Sequence, residues 1–512
     1  MTAPYLHGFP RILAIFALSI ATFMIVLDYS IANVSIPYIS GDLGVSTNQG
    51  TYVITSFAVG NAVILAITGS LTKKIGAVKL IIISLLGFVF FSWLCGAAWN
   101  FETLVIARFL QGVLSGPLIP LSQSLIVSTN PPEERNKVIA IWSVVVIAAP
   151  VIGPLLGGWI SFDYVWPWIF YINIPVGLFS ALIIWFYVRR FETKREKYPL
   201  DWIGFILLTI GVACLQFILD KGEQYDWLNS PLIASLSVVS FLSFAYLIVW
   251  ELFHPTPVID MKLFTIPSYT VSIIFIVVMY SIYFGTIVLV PLWLQTNMNY
   301  NSIWAGIAVA PIGLAPFLLS TFSGWMITRF GKIRPLCICI LFFSFSSFYT
   351  AFFTTDVDIY HIWISRFLLG CALVFMMTPL MALFIQDVSD EKLPSATGVF
   401  HFFRALFGGV GTAIFTTLWI RRSAYHHERV GSNLTEYSPV TRNFFETLKG
   451  LGLKKDEALA VTNNMLTDQA AMLSINDCFY LMGWLFLVLL LILPMGRQKR
   501  GALQKAHLHA VE

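Results

Sequence analysis

Long apolar stretches follow one another from Arg11 to Met495, each separated from the next by a polar segment. They fall approximately at 13–36, 50–71, 79–99, 102–125, 137–160, 167–188, 202–220, 231–253, 268–292, 303–327, 335–354, 359–386, 396–420 and 476–495. A bilayer-spanning helix needs about 20 mainly apolar residues, and these runs are continuous rather than alternating. The pattern therefore predicts an all-α polytopic membrane protein with fourteen transmembrane helices, and it excludes a membrane β-barrel. The first run begins directly at Arg11, is too long for a leader's apolar core and is followed by no A-x-A site, so no cleavable signal is expected.

Composition agrees with a membrane solvent. The chain is 57% hydrophobic and 11% charged, whereas soluble domains carry about 25% charged residues. The net charge of +4 gains meaning from its placement. One alternate set of loops carries Lys73, Lys74 and Lys79; Arg135 and Lys137; Arg189, Arg190, Lys194, Arg195 and Lys197; Lys262; Arg329, Lys332 and Arg334; and Lys392. Arg11 and the tail Arg497, Lys499, Arg500 and Lys505 fall on the same side, while the short loops of the other set carry only Lys221. The positive-inside rule then expects both termini in the cytoplasm, which an even number of spans also requires. Residues 421–475 form a long outer connection, and long loops are exempt from the rule. All six cysteines lie in or beside apolar runs and read as small core residues. Cys337 and Cys339 are two apart, which points them in different directions on a helix and argues against a metal site.

Two segments recur. "GSLTKKIGAVKL" at 69–80 resembles "GWMITRFGKIRPL" at 324–336, and "LVIARFLQG" at 104–112 matches "IWISRFLLG" at 362–370. The two matches occur in the same order and at nearly the same separation, which indicates an internal duplication. Repeated halves around a central site are the layout of secondary transporters. Twelve spans make two six-helix halves, so the spans at 202–220 and 231–253 are the extra pair. The expected organisation is a first half at 1–190, the extra pair and its linkers at 191–262, five helices of the second half at 263–420, the outer loop at 421–475, and the last helix with its tail at 476–512.

A few charges fall inside the apolar runs. Asp28 interrupts "FMIVLDYSIANVSIP", and Arg108, Arg366 and Arg404 lie within later spans. A charge in the bilayer costs several kcal/mol and marks a wet path or a partner. Asp28 can bind and release a proton, or it can face the other helices and make a structural hydrogen bond. Arg108 can hold such an acid ionised, or it can anchor itself on backbone carbonyls; the sequence leaves open whether the two meet. His401 can titrate, or it can be a satisfied interior histidine. Gly69, Gly76, Gly324 and Gly331 permit tight turns at the inner surface, where the neighbouring basic residues already serve topology. His426 and His427 open a polar loop, and Asn433-Leu434-Thr435 is a sequon without evident use.

At this point the chain resembles the fourteen-span drug:proton antiporters of the major facilitator superfamily, of the EmrB type. The resemblance rests on "LDYSIANVSIP" (27–37), "YVITSFAVGNAV" (52–63), "ARFLQGVLSG" (107–116), "APVIGPLLGGWI" (149–160) and "WPWIFYINIPVG" (166–177), and it continues through "RRSAYHHERV" (421–430). It implies Asp28 and Arg108 in proton coupling, and Asn33, Gln111, His401 and Arg404 along the substrate pathway. Gly153, Pro154, Gly157 and Gly158 match the antiporter motif, with Ala149 in place of its first glycine. Gly69, Lys73, Gly76, Gly324 and Gly331 match the inner-gate loops, but Lys73 stands where the superfamily motif has an acid, and Thr328 occupies the equivalent place in the second half. The resemblance further implies an inner-membrane exporter of hydrophobic or amphipathic, often cationic, compounds. Its implied partners are lipid, a periplasmic membrane-fusion adaptor (EmrA-like) and a TolC-like outer-membrane channel.

No G-x-x-x-x-G-K-[ST], H-E-x-x-H or G-x-S-x-G occurs, so no cofactor, nucleic acid or enzyme chemistry is expected and the proton gradient is the expected energy source. The aromatic content of 15% supplies apolar and π surface for lipophilic cargo. Within 421–475, "VTRNFFETLKGLG" and "KKDEALAVTNNMLTDQAAML" suggest two short amphipathic helices separated by Gly450 and Gly452. Leu448 on the first, and Ala458, Val461, Met465 and Leu466 on the second, fall toward one side. Such helices need cover from the transporter itself, the bilayer surface or the adaptor.

Overall fold

The computed structural model describes residues 5–195, 199–384, 386–388, 392–435 and 437–496. Lys197 and the basic tail Arg497, Lys499, Arg500 and Lys505 lie outside the described residues. The fold is all-helical. The first half comprises α1 (Gly8–Asp42), α2 (Tyr52–Ile75), α3 (Ala77–Gly96), α4 (Phe101–Thr129), α5 (Arg135–Asp163) and α6 (Trp168–Phe191). The extra pair is α7 (Trp202–Lys221) and α8 (Pro231–Phe253). The second half comprises α9 (Pro267–Thr296), α10 (Ser302–Val309 continued by Pro311–Phe330), α11 (Ile333–Thr350), α12 (Ile359–Phe384) and α13 (Leu393–Gly431). A short helix α14 (Pro439–Gly450) precedes the last long helix, α15 (Lys455–Ile492).

Among the described residues, 12 helices are long and apolar enough to cross a membrane. The helices α5 and α10 occupy the two remaining expected positions, so the architecture is compatible with fourteen spans. Each half has its own apolar core. Leu85 and Phe88 centre one, and Phe343, Phe479 and Phe486 centre the other. A third cluster joins α2, α7, α8 and α13 along the seam between the halves. Close approach there depends on small residues: a Cβ on Gly398 of α13 would stand 3.1 Å from the Leu65 carbonyl oxygen of α2.

Of the four repeated glycines, Gly76 and Gly331 form the expected turns, whereas Gly69 and Gly324, expected in turns as well, lie inside helices where the backbone is regular. Gly76 and Gly331 terminate α2 and α10 with φ of +96° and +78°, a region that only glycine adopts cheaply. Lys73 sits in the last turn of α2, where a cation complements the helix dipole. The acid missing from that loop is partly replaced from elsewhere: the Glu192 carboxylate accepts from the Val78 and Lys79 amides at the start of α3, at 2.9 and 3.0 Å. Gly69 is buried on α2, and Gly324 lies within α10.

The outer connection differs from expectation. The helix expected to end near 420 continues to Gly431, and only the first of the two short helices stands alone. The second is the opening of α15, which runs unbroken for 38 residues into the last span. Gly452, at φ +88°, is the last breaker before it. Of the residues expected on one side, Leu448 and Ala458 are buried, whereas Met465 is 53% exposed.

Candidate functional site

The site grows from three polar residues on three apolar helices. Asp28 lies past the middle of α1, Arg108 about two turns into α4 and Asn173 near the start of α6. All three are buried, with Asp28 and Arg108 at 0% exposure. Such groups are tolerated in an apolar interior only if they satisfy one another. Arg108 Nη1 donates to Asp28 Oδ2 at 2.5 Å, and Asn173 Nδ2 donates to Asp28 Oδ1 at 2.7 Å. Gln111, one turn after Arg108, accepts from Arg108 Nη1 at 2.8 Å and donates to Asp28 Oδ1 at 3.3 Å. The guanidinium also donates through Nε to the Val53 carbonyl of α2 at 3.0 Å. Its faces lie against Phe57 and Phe170, with ring centres 4.4 and 5.3 Å from Cζ, a favourable setting for a desolvated cation. Arg108 thus meets both the acid and a backbone carbonyl.

Asn173 was not singled out by its sequence, although an amide inside an apolar run is as conspicuous as Gln111. It is itself held by Ser92, whose hydroxyl accepts at 3.0 Å and donates to the Phe170 carbonyl at 2.9 Å. The result is a chain of bonds from α3 through α6 to the Asp28 carboxylate. The Asp28 carboxylate thus accepts from one guanidinium and two amides.

The glycines of the antiporter motif bring α5 onto this part of α1. A Cβ on Gly153 would meet Ser30 Cβ at 2.6 Å, and one on Gly157 would meet the Ile31 carbonyl oxygen at 2.8 Å. These contacts fall within one turn of Asp28. Gly158 is half-buried on the same helix, and Pro154 lies between the two contact glycines. Asn33 is exposed on α1 and donates to the Tyr29 carbonyl at 3.1 Å, apart from the ion pair.

The second half carries a different arrangement. Arg366 of α12 is the repeat partner of Arg108 and is equally buried. Its only hydrogen-bond partners among the described residues are two hydroxyls, Thr350 at 3.1 Å and Ser365 at 2.9 Å; Nε and Nη1 have none. Counted at the separation of the two arginines (366 − 108 = 286 − 28), the position of Asp28 is taken by Thr286 and that of Gln111 by Leu369. Arg404 of α13 donates to the Tyr280 hydroxyl of α9 at 3.3 Å, and its Cζ lies 5.2 Å from the Tyr280 ring centre. His401 is buried one turn earlier, and neither ring nitrogen has a hydrogen-bond partner among the described residues.

Comparison with known proteins places this geometry. The model of the Major Facilitator Superfamily matches residues 18–412. The chain belongs to that superfamily. Among its relatives are the fatty acid resistance protein FarB of Neisseria gonorrhoeae and the multidrug export protein EmrB of Haemophilus influenzae. Each is 40% identical, over 97% of this chain and 98% of the relative. EmrB of Escherichia coli K12 is 38% identical over 97% of both chains. Among solved structures, the peptide transporter POT in complex with sulfate aligns over 96% of this chain and 97% of its own, with a TM-score of 0.62 and 14% identity. That likeness speaks for the fold alone. The major facilitator assignment makes the chain a transporter of the EmrB type, a multi-pass inner-membrane protein, and its relatives make it a multidrug transporter.

Proposed function

We propose that the protein is a proton-driven antiporter that exports lipophilic compounds, with Asp28 as the acid that carries the proton. The buried Asp28–Arg108 pair supports this reading above all else. An acid held ionised by one guanidinium and two amides takes up a proton only when that cage loosens. Rocking of the halves, or arrival of cargo, supplies such a change. Protonation then frees Arg108, and loss of the proton restores the pair. Cargo and proton thereby compete for one arrangement of α1, α4 and α6, which is the requirement for exchange. In this reading the basic loops face the cytoplasm, together with both termini. The test is substrate-induced proton release from sealed vesicles containing the purified protein. Wild-type protein gives release and Asp28→Asn gives none; proton movement indifferent to substrate defeats the reading.

A second observation widens the cargo. The second half buries Arg366 and half-buries Arg404 with no carboxylate within ion-pair distance among the described residues, beside a His401 that has no hydrogen-bond partner among them. That excess positive potential favours lipophilic acids over lipophilic cations. The FarB relative is named for fatty acid resistance, in line with such cargo.

The outer extension of α13, α14 and the start of α15 supports a role in a larger pump. Tyr437, Val440 and Leu451 are exposed there at 74–90%. An adaptor of the membrane-fusion class that leads to an outer-membrane channel is the partner that fits this reading.

A further inference from the structure

The extra pair α7–α8 belongs to neither six-helix half, yet its outer end grips both. On one side, Asp220 accepts from the Thr55 hydroxyl of α2 and, at 3.0 Å, from Gln216 Nε2 one turn earlier. Phe217 stacks on Tyr52 of α2 with ring centres 6.1 Å apart, and the Lys221 ammonium lies 4.4 Å from the centre of that same ring. On the other side, Glu223 pairs with Arg421 of α13 at 2.9 Å, and Arg421 lies over Trp227. Gln216 also reaches α13, where its Oε1 stands 2.8 Å from the place a Cβ on Gly409 would take. Asp220 therefore sits on the seam between the halves.

The two acids near this seam are held in different ways. Asp28 has a guanidinium and two amides. Asp220 has a hydroxyl and an amide, and no salt bridge joins it among the described residues. Of the neighbouring charges, Lys221 attracts Asp220 without forming a salt bridge, donates to Gln224 at 3.3 Å and faces Tyr52, while Glu223 holds Arg421. From α1, the phenol of Tyr29 comes within electrostatic range. A hydroxyl such as that of Thr55 can turn from donor to acceptor when a carboxyl takes up a proton, which a guanidinium cannot do. Asp220 is also half-buried, in the last turn of its span, where water at that end can reach it.

We infer that Asp220 is a second proton-exchanging acid of the transport cycle, a positioning residue that fastens α2 to the extra pair when ionised and loosens it when protonated. The inference rests on the proton-driven reading above. The proton comes from water at the outer end, binds a carboxylate oxygen and returns to the same water; none crosses the membrane through Asp220. Protonation exchanges a charge-assisted bond to Thr55 for a weaker neutral one. The Glu223–Arg421 pair stays intact, so the extra pair then moves with the second half and the outer seam is free to part.

Full-length protein in sealed vesicles tests this, with ethidium and a labelled long-chain fatty acid as probes. Two quantities are measured across a range of outer pH: transport driven by a pH gradient, and probe exchange without a gradient. Asp28→Asn serves as the uncoupled control. Asp220→Asn keeps an acceptor for Thr55 but cannot titrate. It is expected to flatten the dependence on outer pH while exchange persists, and Asp220→Glu is expected to restore the dependence. Thr55→Val removes a donor from the carboxylate and shifts the profile toward higher pH, by about one unit for a lost bond of ordinary strength. A wild-type pH profile in Asp220→Asn overturns the inference. Equal loss of exchange in the Asn and Glu variants also overturns it, because that marks a merely structural fastening. Absence of gradient-driven transport in the wild type overturns the proton-driven reading itself, a distinct result.

Discussion

Arg108 and Arg366 occupy the same place in the two repeated halves, each buried within 1% of full burial and each followed by a phenylalanine and a leucine. Arg108 meets a carboxylate, one amide and a carbonyl; Arg366 meets two hydroxyls and the face of Phe479, 5.5 Å from Cζ. Duplication supplied the cation twice, and among the described residues only the first copy has a titratable partner. A buried pair and a buried lone charge differ in energy. The pair is stable while intact and costly to break; the lone charge is costly as it stands. In the proposed function the first half serves proton exchange and the second serves cargo that brings negative charge.

The sharpest way to break that contrast is at Asp28. Asp28→Asn leaves Arg108 without its counter-charge, and breaking a buried pair from one side costs about 3–5 kcal/mol. Gradient-driven export should fall to background, and thermal unfolding in detergent should move to lower temperature. In the double variant Asp28→Asn/Arg108→Gln, the unfolding temperature should largely recover while transport stays lost. Recovery of both would mean the pair is only a fastening.

Arg366 should behave in the opposite sense. Arg366→Met removes a charge that has no counter-charge among the described residues, and because a buried unpaired charge is costly the change should not destabilise the fold. Export of a fatty acid should drop by about tenfold, the equivalent of one ordinary charge-assisted bond, while export of ethidium persists. Equal destabilisation by Arg366→Met and Arg108→Met would erase the difference between the halves.

A smaller effect is expected where α5 touches α1. Gly157→Val places a side chain on the Ile31 carbonyl, and overpacking of this kind costs about 1–3 kcal/mol. The displaced turn carries Asp28, so proton release per substrate should fall as well. The control is Gly450→Ala at the end of α14, where a Cβ meets nothing within 4 Å and neither quantity should change.

Much of this arrangement was legible before any coordinates. Continuous apolar runs marked the spans because lipid leaves backbone groups no outside partner. Asp28 and Arg108 stood out as charges within those runs. Their contact did not, since sequence carries no distance between α1 and α4. Asn173 was equally visible as a polar residue but was passed over inside a recognised motif. The empty surroundings of Arg366 were hidden for a related reason: a missing partner leaves no mark at its own position, only a Thr286 that looks ordinary. The outer region misled in another way. Hydropathy changes near 476, where the membrane begins, but Gly452 is the last helix breaker, so α15 starts 21 residues before the apolar run does (476 − 455 = 21). Hydropathy marks the change of solvent, whereas glycine and proline mark the ends of helices.

That last point shapes the mildest prediction, at the outer extension. Replacing 440–470 would cut into α15, whose Ala470, Ala471 and Met472 are buried against the second half. The cleaner change removes α14 alone, with residues 437–453 exchanged for a Gly/Ser linker of equal length. The helix buries only Thr441 and Leu448, so little packing is lost. Short isolated helices are marginal in water, and α14 therefore leans on α15 or on a partner. Vesicle transport and its dependence on Asp28 should stay at the wild-type level, because no residue of the ion pair lies near this segment in the chain. Resistance in cells should fall if the exposed Val440 and Leu451 meet an adaptor. Wild-type resistance together with unchanged adaptor co-purification would assign α14 to covering its own transporter. Loss of vesicle transport would instead tie the extension to the α13–α15 packing that supports the second half, and so to the Arg366 side of the comparison.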